Sequence, residues 1–580
     1  MTPRKAVPDL THLTFNPASL LIKNEALRVA KFAVTYYTLD EVMNDRQMYL
    51  SDQVETTKQY IMGHIPHLLL EKFLKNSVMV GICEALIVKK LEWTPTTNKR
   101  AFSLELNAIV KFCNLMVHPL RKVLDLASVP QAIRTRLYGS LKGFEGLHTL
   151  ILGSGSGGWV TEAYSDKFLK ALPQFNRLQH FSLKYDCTED VLKVLSETCS
   201  QTLRVLDIER SLQVKTQNCV DYIHCLQNLT ELNVFKTGLQ VEEICQILVR
   251  LKSLLHVPRG DFLCEVLEYL DEEVSLNIQF KIEEFWASEE YFFHTDEQML
   301  LVAKYRPRIR KALFMFRNDC CENMSILTHF KYLSDLDLWG GQFYSDCISE
   351  FLQIQGHQME VLSLVHVEEI DKRAIALITA TCTKLKKLGF HNCEFVEDTE
   401  PSAGDAAFRD ADRIIRLEKE NEVKALMRPM LDLHTFKIVG SCSGDYVTFA
   451  LSACLNVKHI SLGMNTGVSD QVWQTVLENN RLANLESLSI QESGKGLTMK
   501  GIELLLINCD NLKVLKDPSC FEGVHENEVK ILKLRIHEEN LDLMLEEETE
   551  KVRDPSNPEL TRSSYSRNSY STIEQFYNSS

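Results

Sequence analysis

The chain has no long apolar run. In 580 residues no window approaches the ~18 uncharged apolar positions that a membrane-spanning helix requires, and the best stretch, Ser77 to Val88, is short and carries Glu84. The opening MTPRKAVPDLTHLTF has two early basic residues but no continuous apolar segment, so a secretory signal is not expected. Positive charge is in deficit. Lys plus Arg is 64 against 79 Asp plus Glu, a net charge of −15, which argues against a protein that coats nucleic acid through its phosphates. The 17 cysteines are odd in number and form no Cys-x-x-Cys pair or zinc-spaced Cys/His cluster, and the 17 histidines form no spaced metal set. Gly-x4-Gly-Lys-Ser/Thr, Gly-x-Ser-x-Gly and His-Glu-x-x-His are all missing. These absences point to a non-catalytic protein of the cytoplasm or nucleus, with no metal, no cofactor and no membrane or nucleic-acid partner.

Three residual features keep chemistry in view. Gly153-Ser154-Gly155-Ser156-Gly157-Gly158 follows an apolar strand and precedes a helix, the layout of nucleotide and methyl-donor sites. We read it as an enlarged turn in the first repeat, which accounts for the long step from Leu147 to Leu178. Cys320-Cys321 is a vicinal pair open to redox chemistry, whereas most of the other cysteines read as small buried apolar residues. Asn228-Leu229-Thr230 and Asn323-Met324-Ser325 match the glycosylation pattern but have no meaning without secretion.

Leucine is what the chain has in excess, about 80 of 580 residues. Part of it falls into the pattern apolar-x-x-apolar-x-apolar. Copies begin at Leu147, Leu178, Leu203, Leu229, Leu333, Met359, Leu385, Leu433, Val457 and Leu485, with weaker ones at Ile309 and Leu512. Many of the steps are 25–28 residues, the period of a leucine-rich-repeat array. The pattern predicts a short strand with one face in and one out. After it come a turn and an apolar segment at helical spacing, such as Val191-Leu192-Val194-Leu195, Ile244-Ile247-Leu248 and Ile502-Leu505-Leu506. One strand and one helix cannot bury their own apolar side, but stacked copies can. The expected fold class is therefore α/β: an irregular leucine-rich-repeat solenoid, or horseshoe, over 144–545. In front lies an all-helical N-terminal module over 18–143, after a flexible 1–17. An acidic, then Ser/Tyr-rich disordered tail over 546–580 follows, with Ser563, Ser564 and Ser566 open to phosphorylation. Two places break the period. The stretch Leu255 to Ile309 shows no clear strand, Ser275 to Phe285 being a degenerate candidate. About 395–432 is an insertion, read as a polar loop and then a charged helix over Asp405 to Leu431 with Ile414, Leu417, Leu426 and Met430 as its contacts.

Cys382, Cys454 and Cys509 stand three residues before their repeat's first apolar position, and Cys199 and Cys225 stand four before. Here the chain resembles the cysteine-containing leucine-rich repeats common in F-box proteins, a fold that mostly binds other proteins. In the helical module, segments Ala18 to Tyr37, Thr38 to Ile61, Leu68 to Leu91 and Leu104 to Leu126 read as helices, with a loop over Trp93 to Arg100. Within it, Ile65, Pro66, Leu69, Leu70, Phe73 and Leu74 fit the opening of an F-box, and Lys89, Lys90 and Trp93 stand near its close. Asn76 to Cys83 lacks that family's acidic turn. The F-box resemblance implies that these residues dock a Skp-type adaptor of a cullin-RING ubiquitin ligase. A plain helical cap fits the same residues. A third reading is the elongin-binding box of leucine-rich receptors of the ZYG-11 and ZER-1 kind, an apolar residue, Cys and an apolar residue at four-residue steps. Met79-Cys83-Ile87 and Ile109-Cys113-Val117 both fit it loosely.

The strand's x positions point away from the leucine spine and map a ligand face. They are acidic in the middle, at Asp335, Asp337 and Glu360, and basic further on, at Lys386, Lys387, His434, Lys437, Lys458 and His459. Arg204, Asp207, Glu231 and Asn233 occupy them in the early repeats. The pattern suits a protein substrate with a basic and an acidic part, the latter meeting Lys386, Lys387 and Lys458.

Overall fold

The computed structural model describes residues 10–35, 43–65, 67–92, 99–127, 129–138, 140–152, 162–258, 261–274, 278–286, 294–316, 324–396, 420–463, 465–491, 495–516 and 518–546. The chain divides into two compact units, formed in the main by Val7–Pro258 and by Ile282–Ser580.

The first unit begins with helices α1 (Leu10–Thr35), α2 (Met43–His64), α3 (His67–Phe73), α4 (Val80–Leu91) and α5 (Lys99–Lys111). A wide π turn, Leu74–Met79, joins α3 to α4 and buries Leu74, Ser77 and Val78. Helix α1 packs on α4 and α5. Gly81 lets α1 and α4 approach closely, since a Cβ there would lie 2.6 Å from the Ser19 carbonyl oxygen.

Five strands follow in parallel and in sequence order: β1 (Val123–Asp125), β2 (Thr149–Ile151), β3 (His180–Ser182), β4 (Val205–Asp207) and β5 (Glu231–Asn233). The register puts Leu124, Leu150, Phe181, Leu206 and Leu232 in one row, and all are essentially buried. The array thus starts at Val123, earlier than the boundary expected at 144. The stretch expected to be helical up to Leu126 ends instead in a 3-10 turn, Phe112–Met116, ahead of β1. The first apolar position of this repeat holds Arg121, which hides it from a leucine pattern. Arg121 is 4% exposed, pairs with Glu71 of α3 at 3.3 Å and donates to the Val123 carbonyl at 2.7 Å. Glu71 also accepts from the backbone N–H groups of Lys122 and Val123, each at 3.4 Å, so it covers the otherwise open edge of the ladder. Past β5 the ladder ends in a single bridge from Glu231 to His256.

The second unit carries ten parallel strands in sequence order: β6 (Glu284–Trp286), β7 (Lys311–Met315), β8 (Asp335–Trp339), β9 (Val361–Val365), β10 (Lys387–His391), β11 (Thr435–Val439), β12 (His459–Leu462), β13 (Ser487–Ile490), β14 (Val514–Lys516) and β15 (Met544–Glu546). Its buried row runs Phe285, Ala312, Leu336, Leu362, Leu388, Phe436, Ile460, Leu488 and Leu515. β10 and β11 pair along their full length, so the insertion between them leaves the ladder unbroken. Of that insertion, helix Glu420–Leu426 and buried Met430 are described, while Ile414 and Leu417 lie outside the described residues.

Between strands the chain returns through short helices whose apolar face covers the spine, as in Glu189–Cys199, Val241–Arg250 and Met499–Asn508. Thr188, Thr216, Thr295, Asp371, Ser469 and Thr498 cap such helices with side-chain oxygens. The cysteines fall at the other end: Cys225, Cys382, Cys454 and Cys509 are C-caps, and Cys199 is the last residue of its helix. Burial raises their thiols where a shift is resolved, to about 11 at Cys382 and about 12 at Cys509, so these are packing groups and not nucleophiles.

An asparagine beside these caps adds a device that the leucine pattern does not show. It stands one residue before the first apolar position in four repeats. Asn228 donates to the Gln201 carbonyl at 3.1 Å, Asn456 to that of Leu431 at 2.8 Å, and Asn511 to that of Ala483 at 2.8 Å. Asn484 donates to the Asn456 side chain at 3.0 Å. Each bond ties a turn to the turn one repeat earlier.

Candidate protein-docking surfaces

Two surfaces were expected to bind, one on the helical module and one on the strand face. On the module, the structure sends most of the 65–74 segment inward. Leu70 is 5% exposed, Phe73 7% and Leu74 is fully buried. Phe73 packs edge-on against Phe15 of α1, with ring centres 6.2 Å apart. Ile65 is half-buried, and Leu69 alone among the motif's leucines is exposed. Pro66 and Trp93 lie outside the described residues. Lys89 is buried and paired with Glu92 at 2.7 Å and Glu105 at 2.9 Å, so it fastens α4 to α5.

The outward surface of the module lies on α4. Met79, the N-cap of α4, and Cys83 and Ile87 within it follow one another at four-residue steps, which places them on one helix face. Met79 and Cys83 are half-buried and Ile87 is 54% exposed. Val80 and Leu91 extend the exposed apolar surface, and Leu20 and Leu21 of α1 are exposed as well. Burial and the neighbouring Glu84 hold the Cys83 thiol above its usual range, so it is an uncharged side chain at neutral pH. The second segment that fits the elongin pattern is closed off. Ile109 and Cys113 are fully buried and only Val117 is half-buried.

On the strand face several of the expected charges are matched within the protein. Glu360 holds Lys386 at 2.7 Å, and Glu486 holds Lys458 at 3.4 Å. These two lysines, expected to meet a ligand's acidic part, are already bound across repeats. Asp335 is half-buried, with its carboxyl raised by burial against a hydrogen bond from Ser334 at 2.5 Å. Asp337 is fully buried. Lys387 is half-buried, its amine lowered by burial with Asp335 opposing. His434 and His459 are exposed. Lys437 is half-buried, and burial brings its amine down to about 8. In the first unit, Asp207 pairs with Lys184 at 3.3 Å, Arg204 and Glu231 are at least partly exposed, and Asn233 is buried.

The charge pattern misses an apolar cluster on the same face. Leu313 and Met315 of β7 are buried there, with Trp286 and Trp339 packed against them. Its trace in the sequence is the unbroken apolar run Ala312 to Phe316, where a strand with one wet face would alternate. The glycine loop 153–158, Cys320-Cys321, the 397–419 stretch and the 547–580 tail lie outside the described residues. Among the described residues no helix is long and apolar enough to cross a membrane.

Parallel strands in sequence order, one buried leucine row per unit and a helix returning between strands define a leucine-rich-repeat protein. No family model matches the chain, and no curated protein matches it. Solved structures that it resembles include the Rad7 and Elc1 complex of yeast, at 12% identity over 84% of this chain and 94% of that chain, with a TM-score of 0.35. The leucine-rich-repeat protein LIC12759 of Leptospira interrogans matches at 15% identity over 76% and 98%, with a TM-score of 0.31. LegL7, a leucine-rich-repeat-containing protein of Legionella pneumophila, matches at 12% over 53% and 89%, with a TM-score of 0.27.

Proposed function

We propose that this protein is a non-catalytic substrate receptor of a cullin-type ubiquitin ligase, working in the cytoplasm or nucleus. Its helical module docks an elongin-type adaptor through α4, and its repeats hold a protein substrate on the strand face. The observation that carries the adaptor reading is the Met79-Cys83-Ile87 face. All three of its marked side chains remain at least partly open, whereas the 65–74 segment buries Leu70, Phe73 and Leu74. An apolar helix face entering a partner's groove is a common docking mode, anchored at i, i+4 and i+7 or i+8. The protein breaks and makes no bonds in this reading; it places a substrate near the enzyme that does.

A Skp-type adaptor is the second reading, favoured by the exposure of Leu69 and the half-exposure of Ile65. A leucine-rich scaffold outside any ligase is what remains if both fail. Co-expression with each adaptor, followed by affinity purification of this chain, separates the three. Elongin-type adaptor is expected to co-purify with wild type, to be lost with Ile87→Asp or Cys83→Asp, and to persist with Leu69→Asp. Capture of a Skp-type adaptor that Leu69→Asp abolishes would move the assignment to the F-box reading. Capture of neither would leave the scaffold.

A further inference from the structure

Most charges along the strand edge of the second unit are spent on one another. Lys386 is held by Glu360, and Glu486 lies between Lys458 at 3.4 Å and Lys513 at 3.8 Å. Lys437, at the centre of β11, differs. It makes no hydrogen bond or ion pair among the described residues, and its amine is displaced by burial alone. The ladder gives it no counter-charge, for its register neighbours are Gly389 on one side and Ser461 on the other. In the adjoining column Thr435 lies between Lys387 and His459. Neighbouring strands are about 4.8 Å apart and alternate residues about 7 Å apart, so Lys387, Lys437 and His459 converge on one patch roughly 10 Å across.

The floor of this patch is also incomplete. The Ser363 side chain is 1% exposed and its hydroxyl has no hydrogen-bond partner among the described residues. It lies 3.7 Å from the point that a Cβ on Gly389 would occupy, and His391 Nε2 lies 2.9 Å from the same point. Burial, Lys437 and His366 together keep the His391 imidazole neutral, at about 3. A buried hydroxyl without a partner is costly, and so is a half-buried ammonium without a carboxylate. Here both stand beside the same glycine.

We infer that this patch receives an anionic group of a protein ligand, a side-chain carboxylate or a phosphoryl group, with Lys437 as its counter-ion, Lys387 and His459 beside it and the Ser363 hydroxyl donating from the floor. The inference rests on the strand face being the protein-binding surface, and it is independent of which adaptor the helical module takes. It replaces Lys386 and Lys458 as the acid-reading residues, because their charges are already matched.

The test uses the full chain and three fluorescein-labelled dodecapeptides, alternating Gly with Glu, with phosphoserine or with Gln. The two acidic peptides are expected to bind and the Gln peptide not to. Lys437→Met is expected to weaken binding by at least about tenfold, Lys437→Arg to retain most of it, and Lys458→Ala to change it little. Thr435→Glu, which places a carboxylate in the patch, is expected to block binding even if Lys437→Met folds poorly. Binding of the phosphoserine peptide alone would identify the phosphoryl group as the anion. Equal binding of acidic and neutral peptides, or unchanged affinity in Lys437→Met and Thr435→Glu, would overturn the inference. Adaptor capture by the same variants is expected to be normal, so a failure of this site is distinguishable from a failure of the adaptor reading.

Discussion

His294 is fully buried at the entry to its repeat, where its backbone N–H donates to the Met315 carbonyl at 2.8 Å and its ring Nδ1 accepts from the Met315 backbone N–H at 3.1 Å. The second bond needs an unprotonated Nδ1. Burial holds the imidazole down at about 4, against about 6.5 in an unfolded chain. Below pH 6.5 the unfolded state therefore takes up a proton that the folded state refuses, and stability falls until the folded value is reached. Urea unfolding of the wild type is expected to weaken between about pH 6.5 and pH 4, and His294→Gln to flatten that slope; parallel slopes would refute the assignment. Asn480 is a second buried polar residue with a definite task. Its amide donates to the Leu451 and Cys454 carbonyls at 2.8 and 2.9 Å, and its oxygen accepts from the Leu482 N–H at 3.1 Å. Asn480→Ala leaves those backbone groups unpaired and is expected to cost about 2–4 kcal/mol, whereas Asn484→Ala, at an exposed turn, costs about 1 kcal/mol or less. Denaturant midpoints of the two variants test the ranking.

At the level of elements, strand positions were legible wherever apolar residues held all three pattern positions. Each strand from β2 to β5 centres on the second apolar residue of the pattern, and each from β7 to β14 contains it. β1 and β15 were not legible because Arg121 and Asp542 take the first apolar position. β6 was legible only as a degenerate candidate at Phe285. The arginine is tolerated because Glu71 reaches it from α3. Glu71→Ala is expected to destabilise the first unit by about 1–2 kcal/mol, the exposed carboxylate moderating the cost of the orphaned guanidinium. A change below 0.5 kcal/mol in thermal unfolding would show that Arg121 finds another partner. The helix proposed to dock an adaptor was harder to read. Sequence spacing cannot say which side of an apolar helix faces the core, so 65–74 stood first as the docking segment and 79–87 only as a looser fit. Tertiary packing separates them, burying Leu70, Phe73 and Leu74 while leaving Ile87 in solvent.

Across the whole molecule, the repeats' apolar residues form two buried rows, one in each unit, and the net charge of −15 says little about the strand face. That face carries ion pairs between repeats, an apolar cluster around Leu313 and Met315, and a cationic patch around Lys437. Charge signs along the strands were readable in the sequence. Which charges cancel was not, because each pair joins residues about 26 positions apart, and a one-repeat offset is only fixed by the ladder register. We propose above all that α4 is an adaptor-binding surface. Isothermal titration of the purified chain with purified elongin-type adaptor tests it most directly. A one-to-one complex is expected that Ile87→Asp abolishes and Leu69→Asp preserves, with both variants folded as judged by circular dichroism. No measurable binding by wild type, or binding lost with Leu69→Asp and kept with Ile87→Asp, would contradict it.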